Sequence, residues 1–215
     1  MLCGVDEAGK GAVLGPLVIA AVGCESPDVL EGTGVRDSKE LSPAQREDLY
    51  PVIMERCSIA VLSISSADVD RHRLRMNLNR CMARGHATVI DRLTPSIAYV
   101  DACDVNAERY AQMIREYLAC ACTIISRHHA DKTFPVVSAA SIIAKVERDR
   151  AVAALRDAYG DIGSGYPSDK KTIAFLRGYI QINKKNPPIA RKGWSTVESL
   201  LDEEFQVKIT RFFDP

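Results

Sequence analysis

The 215-residue chain is 47% hydrophobic and 26% charged, a balance that suits one α/β-sized body with a small appendage and excludes long disordered tails. Its 28 Lys and Arg offset 28 Asp and Glu, which excludes an all-cationic surface but leaves room for a local basic stripe. Seven cysteines without CxxC or zinc-finger spacing read as reduced thiols of a cytoplasmic protein. The longest apolar run, 12–24, contains two glycines and Pro16 and is too short to span a bilayer.

In chain order, LCGV at the N-terminus reads as a short strand ending in acids, and PLVIAAVGC as a second strand. The glycine-rich segment DEAGKGAVLG joins them. Ser42-Pro43 opens a helical pattern that runs through Cys57, with proline suited to the first turn. SIAVLSIS predicts the third strand, Asn77 to Leu93 a helix, and SIAYVDA the fourth strand. Asn106 to Ala119 predicts a further helix, CTIIS the fifth strand, and Val137 to Tyr159 a long helix. Cys120 and Cys122 are expected on one face of a strand, by their spacing. An early hairpin followed by alternating strands and helices predicts an α/β fold with a mixed central sheet flanked by helices.

Residues 160–167, rich in glycine and proline, break that pattern. Beyond them come a short helix from Asp169 to Ile182, a Pro-Pro loop and a final segment from Trp194. The expected division is a catalytic domain over 1–165 and a basic helical cap over 166–215. The last ten residues, with Phe212 and Phe213, read as a docked strand or a partner-binding tail. Residues 166–193 carry seven Lys or Arg against one acid, Asp169. Such a run is either a solvated helix face or an arm that grips a polyanion.

The acids carry the chemical signal. Asp6 and Glu7 end the first predicted strand, Asp101 ends the fourth, and Asp131 follows the fifth. Sites in open α/β sheets form at the carboxyl ends of strands. Clustered carboxylates repel one another and call for hard divalent cations, Mg²⁺ or Mn²⁺ rather than Zn²⁺. Two such ions serve phosphodiester hydrolysis. Strand-end acids also act as helix caps and turn formers, so residue types alone leave both roles open. Consecutive strand residues face opposite sides; Asp6 and Glu7 reach one site if the strand stops there, which Ala8-Gly9 would allow.

GVDEAGKG approaches the phosphate-loop pattern, but Gly11 stands where the Mg²⁺-binding hydroxyl belongs. Asp6 and Glu7 would also repel the phosphates, which argues against an NTPase.

Five ordered stretches, DEAGKGAVLGPLVIAAV, DSKELS, YVDACDVN, ADKTFPVVSAASIIAKVERDR and GSGYPSD, together resemble ribonuclease HII in its single-chain archaeal type. RKGWSTVE near the C-terminus strengthens the likeness. Bacterial members typically carry Arg where this chain has Lys10, a change that keeps the charge but loses a bidentate fork.

The resemblance implies a ribonuclease H-like fold and an endonuclease for the RNA strand of RNA–DNA hybrids, dependent on Mg²⁺ or Mn²⁺. It also implies incision of duplex DNA 5′ to an embedded ribonucleotide, leaving 3′-hydroxyl and 5′-phosphate ends. The family's four catalytic acids and metal ligands fall on Asp6, Glu7, Asp101 and Asp131, with Asp37 and Asp104 in support. Gly9, Lys10 and Gly11 resemble the backbone sensor of the 2′-hydroxyl, and Tyr166 the tyrosine that stacks at the junction. Lys39 would contact a phosphate; Ser138, Ser141 and Lys145 would hold another near the start of the long helix. Lys170 and Lys171 open the basic arm. His128-His129 read as a solvated pair and Trp194 as a structural anchor. A monomer is expected, with no membrane partner and with a replication-clamp contact conceivable through the C-terminal tail. Two rivals remain: a metal-dependent DNA nuclease on a similar sheet, and a non-catalytic nucleic-acid-binding module.

Overall fold

The computed structural model describes residues 1–35 and 41–211. Its centre is a five-stranded sheet of β1 (Leu2–Ala8), β2 (Leu17–Cys24), β3 (Ser58–Ile64), β4 (Ile97–Asp101) and β5 (Thr123–Arg127). The order is β3-β2-β1-β4-β5. β1 pairs antiparallel with β2 from Leu2 opposite Cys24 to Ala8 opposite Val18, and parallel with β4 from Leu2 opposite Ile97 to Val5 opposite Val100. β4 and β5 are parallel. The sheet is therefore mixed, as the alternation of elements requires.

Eight α-helices surround or follow the strands among the described residues: α1 (Pro43–Arg56), α2 (Ser66–Arg73), α3 (Leu78–Leu93), α4 (Ala107–Arg115), α5 (Ala130–Thr133), α6 (Pro135–Tyr159), α7 (Lys170–Asn183) and α8 (Ser195–Arg211). The helix starts follow side-chain chemistry. Ser42 and Gln45 form a reciprocal capping box at α1, and Asn77, Asn106 and Asp169 cap α3, α4 and α7. Among the described residues, no helix is long and apolar enough to cross a membrane.

Several expectations change. β1 does not stop at its acids but continues to Ala8. β5 begins at Thr123, so Cys120 and Cys122 precede the strand instead of sharing its face. α2 was invisible in the hydropathy because only Ser66 and Val69 are buried in it; Ser65 caps it by accepting from the Asp68 amide. The C-terminal segment is helical through Arg211, which replaces the expected terminal strand. Phe212 and Phe213 lie outside the described residues, as do Asp37 and Lys39.

The chain forms two compact units. One comprises Met1–Ala8, Val18–Ser63 and Arg75–Arg148 and holds the sheet. Its core joins Val18, Ala20 and Val22 of β2 to Val136, Val137, Ala140 and Ile143 of α6. The other comprises Gly9–Leu17, Ile64–Leu74 and Asp149–Pro215, with a core of Val13, Leu14, Val152, Ile162, Leu176, Ile180, Ala190 and Val197.

Candidate active site

In the sheet unit, β1 carries Asp6 and Glu7 and β4 ends on Asp101. The register places Val5 beside Val100, so Asp6 and Asp101 are level on neighbouring strands, and alternation points them to the same side. Asp6 is buried, and its carboxyl is hydrogen-bonded to Ser141 of α6 and accepts from the Glu7 amide at 2.8 Å. Asp101 Oδ1 accepts from the Ala130 amide at 3.0 Å, which fixes the start of α5 against the end of β4. The next residue, Asp131, is 4% exposed. The structure thus sets Asp6 and Asp101 side by side on neighbouring strands, with Glu7 next to Asp6 along β1, and ties the helix turn bearing Asp131 to Asp101.

Glu7 points the other way, as strand alternation demands. Cys103 Sγ donates to Glu7 Oε1 at 3.0 Å, and His86 Nε2 of α3 lies 3.4 Å from Oε2. Asp6 and Glu7 therefore lie on opposite faces of β1, one facing α6 and the other α3, and the strand does not stop to turn both to one side.

Burial, then the Glu7 charge, with a further contribution from Asp101, pushes the Asp6 carboxyl well above its ordinary value near 3.8. Such crowding of oxygen-only donors matches the chemistry of hard divalent cations. A raised folded-state value means that the protonated form of Asp6 is favoured on folding. The stability from this group is present at pH below the unfolded value and is lost as pH climbs through the raised one. In EDTA, the gain in unfolding temperature of Asp6→Asn over the parent should therefore grow with pH. Saturating Mg²⁺ should shrink it. Thermal unfolding of both proteins over a pH series checks this.

The other carboxylate of the YVDACDVN stretch does different work. Asp104 accepts from the Asn106 amide (2.9 Å), Arg109 and Asn79 Nδ2 (2.9 Å). The Asn106 amide first, then Arg109, holds its carboxyl below the usual range. Asp104 thereby anchors the approach to α4.

In the second unit, Gly9 adopts φ 87° and its amide donates to the Tyr166 hydroxyl at 3.2 Å. The amides of Val13 and Leu14 donate to the Gly165 carbonyl at 2.8 and 3.1 Å. The loop bearing Tyr166 is held in turn by α7: Thr172 Oγ1 accepts from the Gly165 amide and donates to the Ile162 carbonyl, while Asp169 accepts from the Ser164 amide. Gly163, at φ 66°, passes so close that an added Cβ would meet Asp169 Oδ2 at 2.6 Å. Gly9, Lys10, Gly11 and Tyr166 are thus brought together, with Gly11 exposed.

Of the other residues singled out, Ser138 is fully buried and donates to the Val35 carbonyl, Ser141 is buried against Asp6, and Lys145 is half-buried on α6. Lys170 is exposed; Lys171 pairs with Asp161 at 2.8 Å. Two other cations of the basic run, Arg177 and Lys184, pair with Glu203 and Glu204 of α8 at 2.8 and 2.6 Å. Arg191 is buried and donates to the carbonyls of Lys10 (3.1 Å) and Gly15 (3.2 Å), so this cation braces the Gly9–Lys10–Gly11 loop. His128 is exposed, with Nε2 3.3 Å from the Val105 carbonyl.

Sequence reasoning missed Arg191, His86 and Cys103. His86 was readable in principle: it sits four residues from both Met82 and Ile90 on the buried face of α3.

A profile of the family described as Ribonuclease HII matches residues 3–197. The chain belongs to the ribonuclease HII family. Ribonuclease HII of Methanoregula boonei is 58% identical, the match covering 99% of this chain and all of that one. The crystal structure of ribonuclease H2 from Pyrococcus horikoshii superposes with a TM-score of 0.89 at 38% identity, over 95% of this chain and 99% of that one. RNase HII from Archaeoglobus fulgidus, solved in its complex with PCNA, gives a TM-score of 0.86 at 41% identity, over 93% and 96%. The fold is accordingly ribonuclease H-like, and the enzyme is a type 2 ribonuclease H, an endonuclease acting on RNA–DNA hybrids. Ribonucleases H are metal-dependent, and in this chain the acid set at the ends of β1 and β4 has the donor chemistry for that metal.

Proposed function

We propose that Asp6, Glu7, Asp101 and Asp131 form a two-ion site that hydrolyses the RNA strand of hybrids and incises duplex DNA 5′ to an embedded ribonucleotide. The products are 3′-hydroxyl and 5′-phosphate ends. The observation that carries this reading is the crowding of Asp6 against Glu7 and Asp101, which a divalent cation relieves. Two Mg²⁺ or Mn²⁺ ions, when bound, supply an activated water and stabilise the departing 3′-oxygen. The protein's own part is orientation. Ser141 holds the Asp6 carboxylate and the Ala130 amide holds that of Asp101, so neither must be ordered during the reaction.

Discrimination falls to Gly9, Lys10, Gly11 and Tyr166. The bond from the Gly9 amide to the Tyr166 hydroxyl supports this assignment, because it fixes backbone groups with no Cβ beside an aromatic ring. The 2′-hydroxyl, both donor and acceptor, is the only group such a surface needs to read. Lys145 and Lys170 serve as phosphate contacts, and Lys39 fills the same role from outside the described residues. Lys171, Arg177 and Lys184 must exchange carboxylate partners for phosphates, so binding should depend steeply on salt. The enzyme acts as a cytoplasmic monomer, and the PCNA complex of the Archaeoglobus relative favours a clamp contact through the C-terminal tail.

One gel tests the reading: an all-DNA duplex beside the same duplex carrying a single ribonucleotide, with Mg²⁺. The expected result is one cut, 5′ to the ribonucleotide, and none in the all-DNA strand. Equal cutting of both would assign the chain to the general DNA nucleases, and no cutting with any divalent ion would leave only a binding module.

A further inference from the structure

Behind the catalytic acids lies a cluster with different chemistry. Glu7 of β1, His86 of α3 and Cys103 of the β4–α4 loop each offer one ligand atom, and the three atoms lie within 4.8 Å of one another. His86 is fully buried and its Nε2 makes no hydrogen bond, although it faces the Glu7 carboxylate at 3.4 Å. Its other nitrogen, Nδ1, lies 3.1 Å from the hydroxyl of the buried Tyr110. A tyrosine hydroxyl can donate or accept. It can therefore receive an Nδ1 proton and leave Nε2 free to bind a metal, the supporting arrangement that metal-bound histidines usually have. Cys103 supplies a sulfur 3.0 Å from Glu7 Oε1.

One oxygen, one imidazole nitrogen and one sulfur are ligands for borderline ions such as Zn²⁺ or Co²⁺, not for Mg²⁺. Three protein ligands also leave a fourth tetrahedral position for water. The catalytic set, by contrast, offers only carboxylate oxygens. Glu7 belongs to both sets.

We propose that Glu7, His86 and Cys103 constitute a second metal site, selective for Zn²⁺-like ions, whose occupation draws Glu7 out of the catalytic set and stops cleavage. Binding releases the Cys103 thiol proton to solvent as the metal–sulfur bond forms. The ion changes no oxidation state, and a chelator reverses the inhibition. The binding site stands on its own geometry; the inhibition rests on Glu7 being a catalytic ligand.

The test begins with Co²⁺ alone, added to metal-free enzyme without substrate. Co²⁺ at the carboxylates gives no sulfur signal, whereas at the new site it gives a thiolate-to-metal charge-transfer band. The band should saturate near one equivalent and be absent from Cys103→Ser, which keeps a hydroxyl donor for Glu7. Zn²⁺ is then titrated against Mg²⁺-driven hybrid cleavage. Cys103→Ser should cleave normally and need at least about tenfold more Zn²⁺ for half-inhibition, because one of three ligands is gone. No band in the parent, or the same band in Cys103→Ser, overturns the site. Equal Zn²⁺ sensitivity of the two proteins overturns the inhibition. Glu7→Gln separates this idea from the reading beneath it: full Mg²⁺ cleavage by Glu7→Gln, with the band intact in the parent, would remove Glu7 from catalysis and leave the metal site standing.

Discussion

Asp101→Asn should lower the rate of hybrid cleavage by about 10³-fold or more, with hybrid binding changed only a fewfold. The substitution is nearly isosteric, and Asn keeps an oxygen to accept from the Ala130 amide, now at 3.0 Å from Oδ1. The junction of β4 and α5 should therefore survive. What disappears is one negative charge and, in the proposed site, one metal-ligand oxygen at the level of Asp6. Phosphate contacts dominate duplex affinity, so a gel-shift titration in Ca²⁺ should show little loss. The variant should also be as stable as the parent in EDTA, or more so, because the Asp101 charge is one of the causes that raise Asp6. Cleavage rates, binding and thermal unfolding on one preparation make the case. Turnover near the parental rate would remove Asp101 from the mechanism, and a collapse in stability would make it a structural cap.

Asp6, Glu7 and Asp101 were legible because they close runs of β-rich residues and Asp131 because it follows one, and the sheet brings neighbouring strand ends together whatever the details of packing. The helices with an apolar stripe and a side-chain cap were legible for a related reason: Ser42, Asn77 and Asp169 mark their starts within about a residue. What failed was whatever depends on distant partners. A strand ending was expected to turn Asp6 and Glu7 to one side, but pairing with β2 carries β1 on to Ala8 and the two side chains keep opposite faces, under α6 and α3. Arg191 looked like one cation in a basic run, yet it is buried against carbonyls about 180 positions earlier in the chain. Three of the arm's cations are held by acids of α7's approach and of α8, pairings that a net charge cannot reveal. The C-terminal segment became helix because its β-rich composition is a weak prior that context overrides.

Gly4→Ala should disrupt the fold, and through it the site. Gly4 lies mid-strand in β1, two residues before Asp6, where α6 crosses over it. An added Cβ would sit 2.2 Å from the Val136 carbonyl carbon and 2.3 Å from the Val137 nitrogen. These are backbone atoms of a helix held by its own hydrogen bonds, so no side chain can swing aside, and strand and helix must part by an ångström or more. The cost should exceed about 4 kcal/mol, a fall of roughly 10 °C in unfolding temperature for a chain of this size. The same movement carries Ser141 away from Asp6, since Val136 and Ser141 share α6. Molecules that still fold should therefore hold Mn²⁺ more weakly. Gly11→Ala is the matched contrast: its Cβ would meet nothing within 4 Å. It should unfold at the parental temperature and still lose cleavage at single ribonucleotides, because in the proposed reading the missing side chain makes room for the sugar and not for the protein. Parental stability in Gly4→Ala would mean that β1 and α6 do not approach as closely as the site requires.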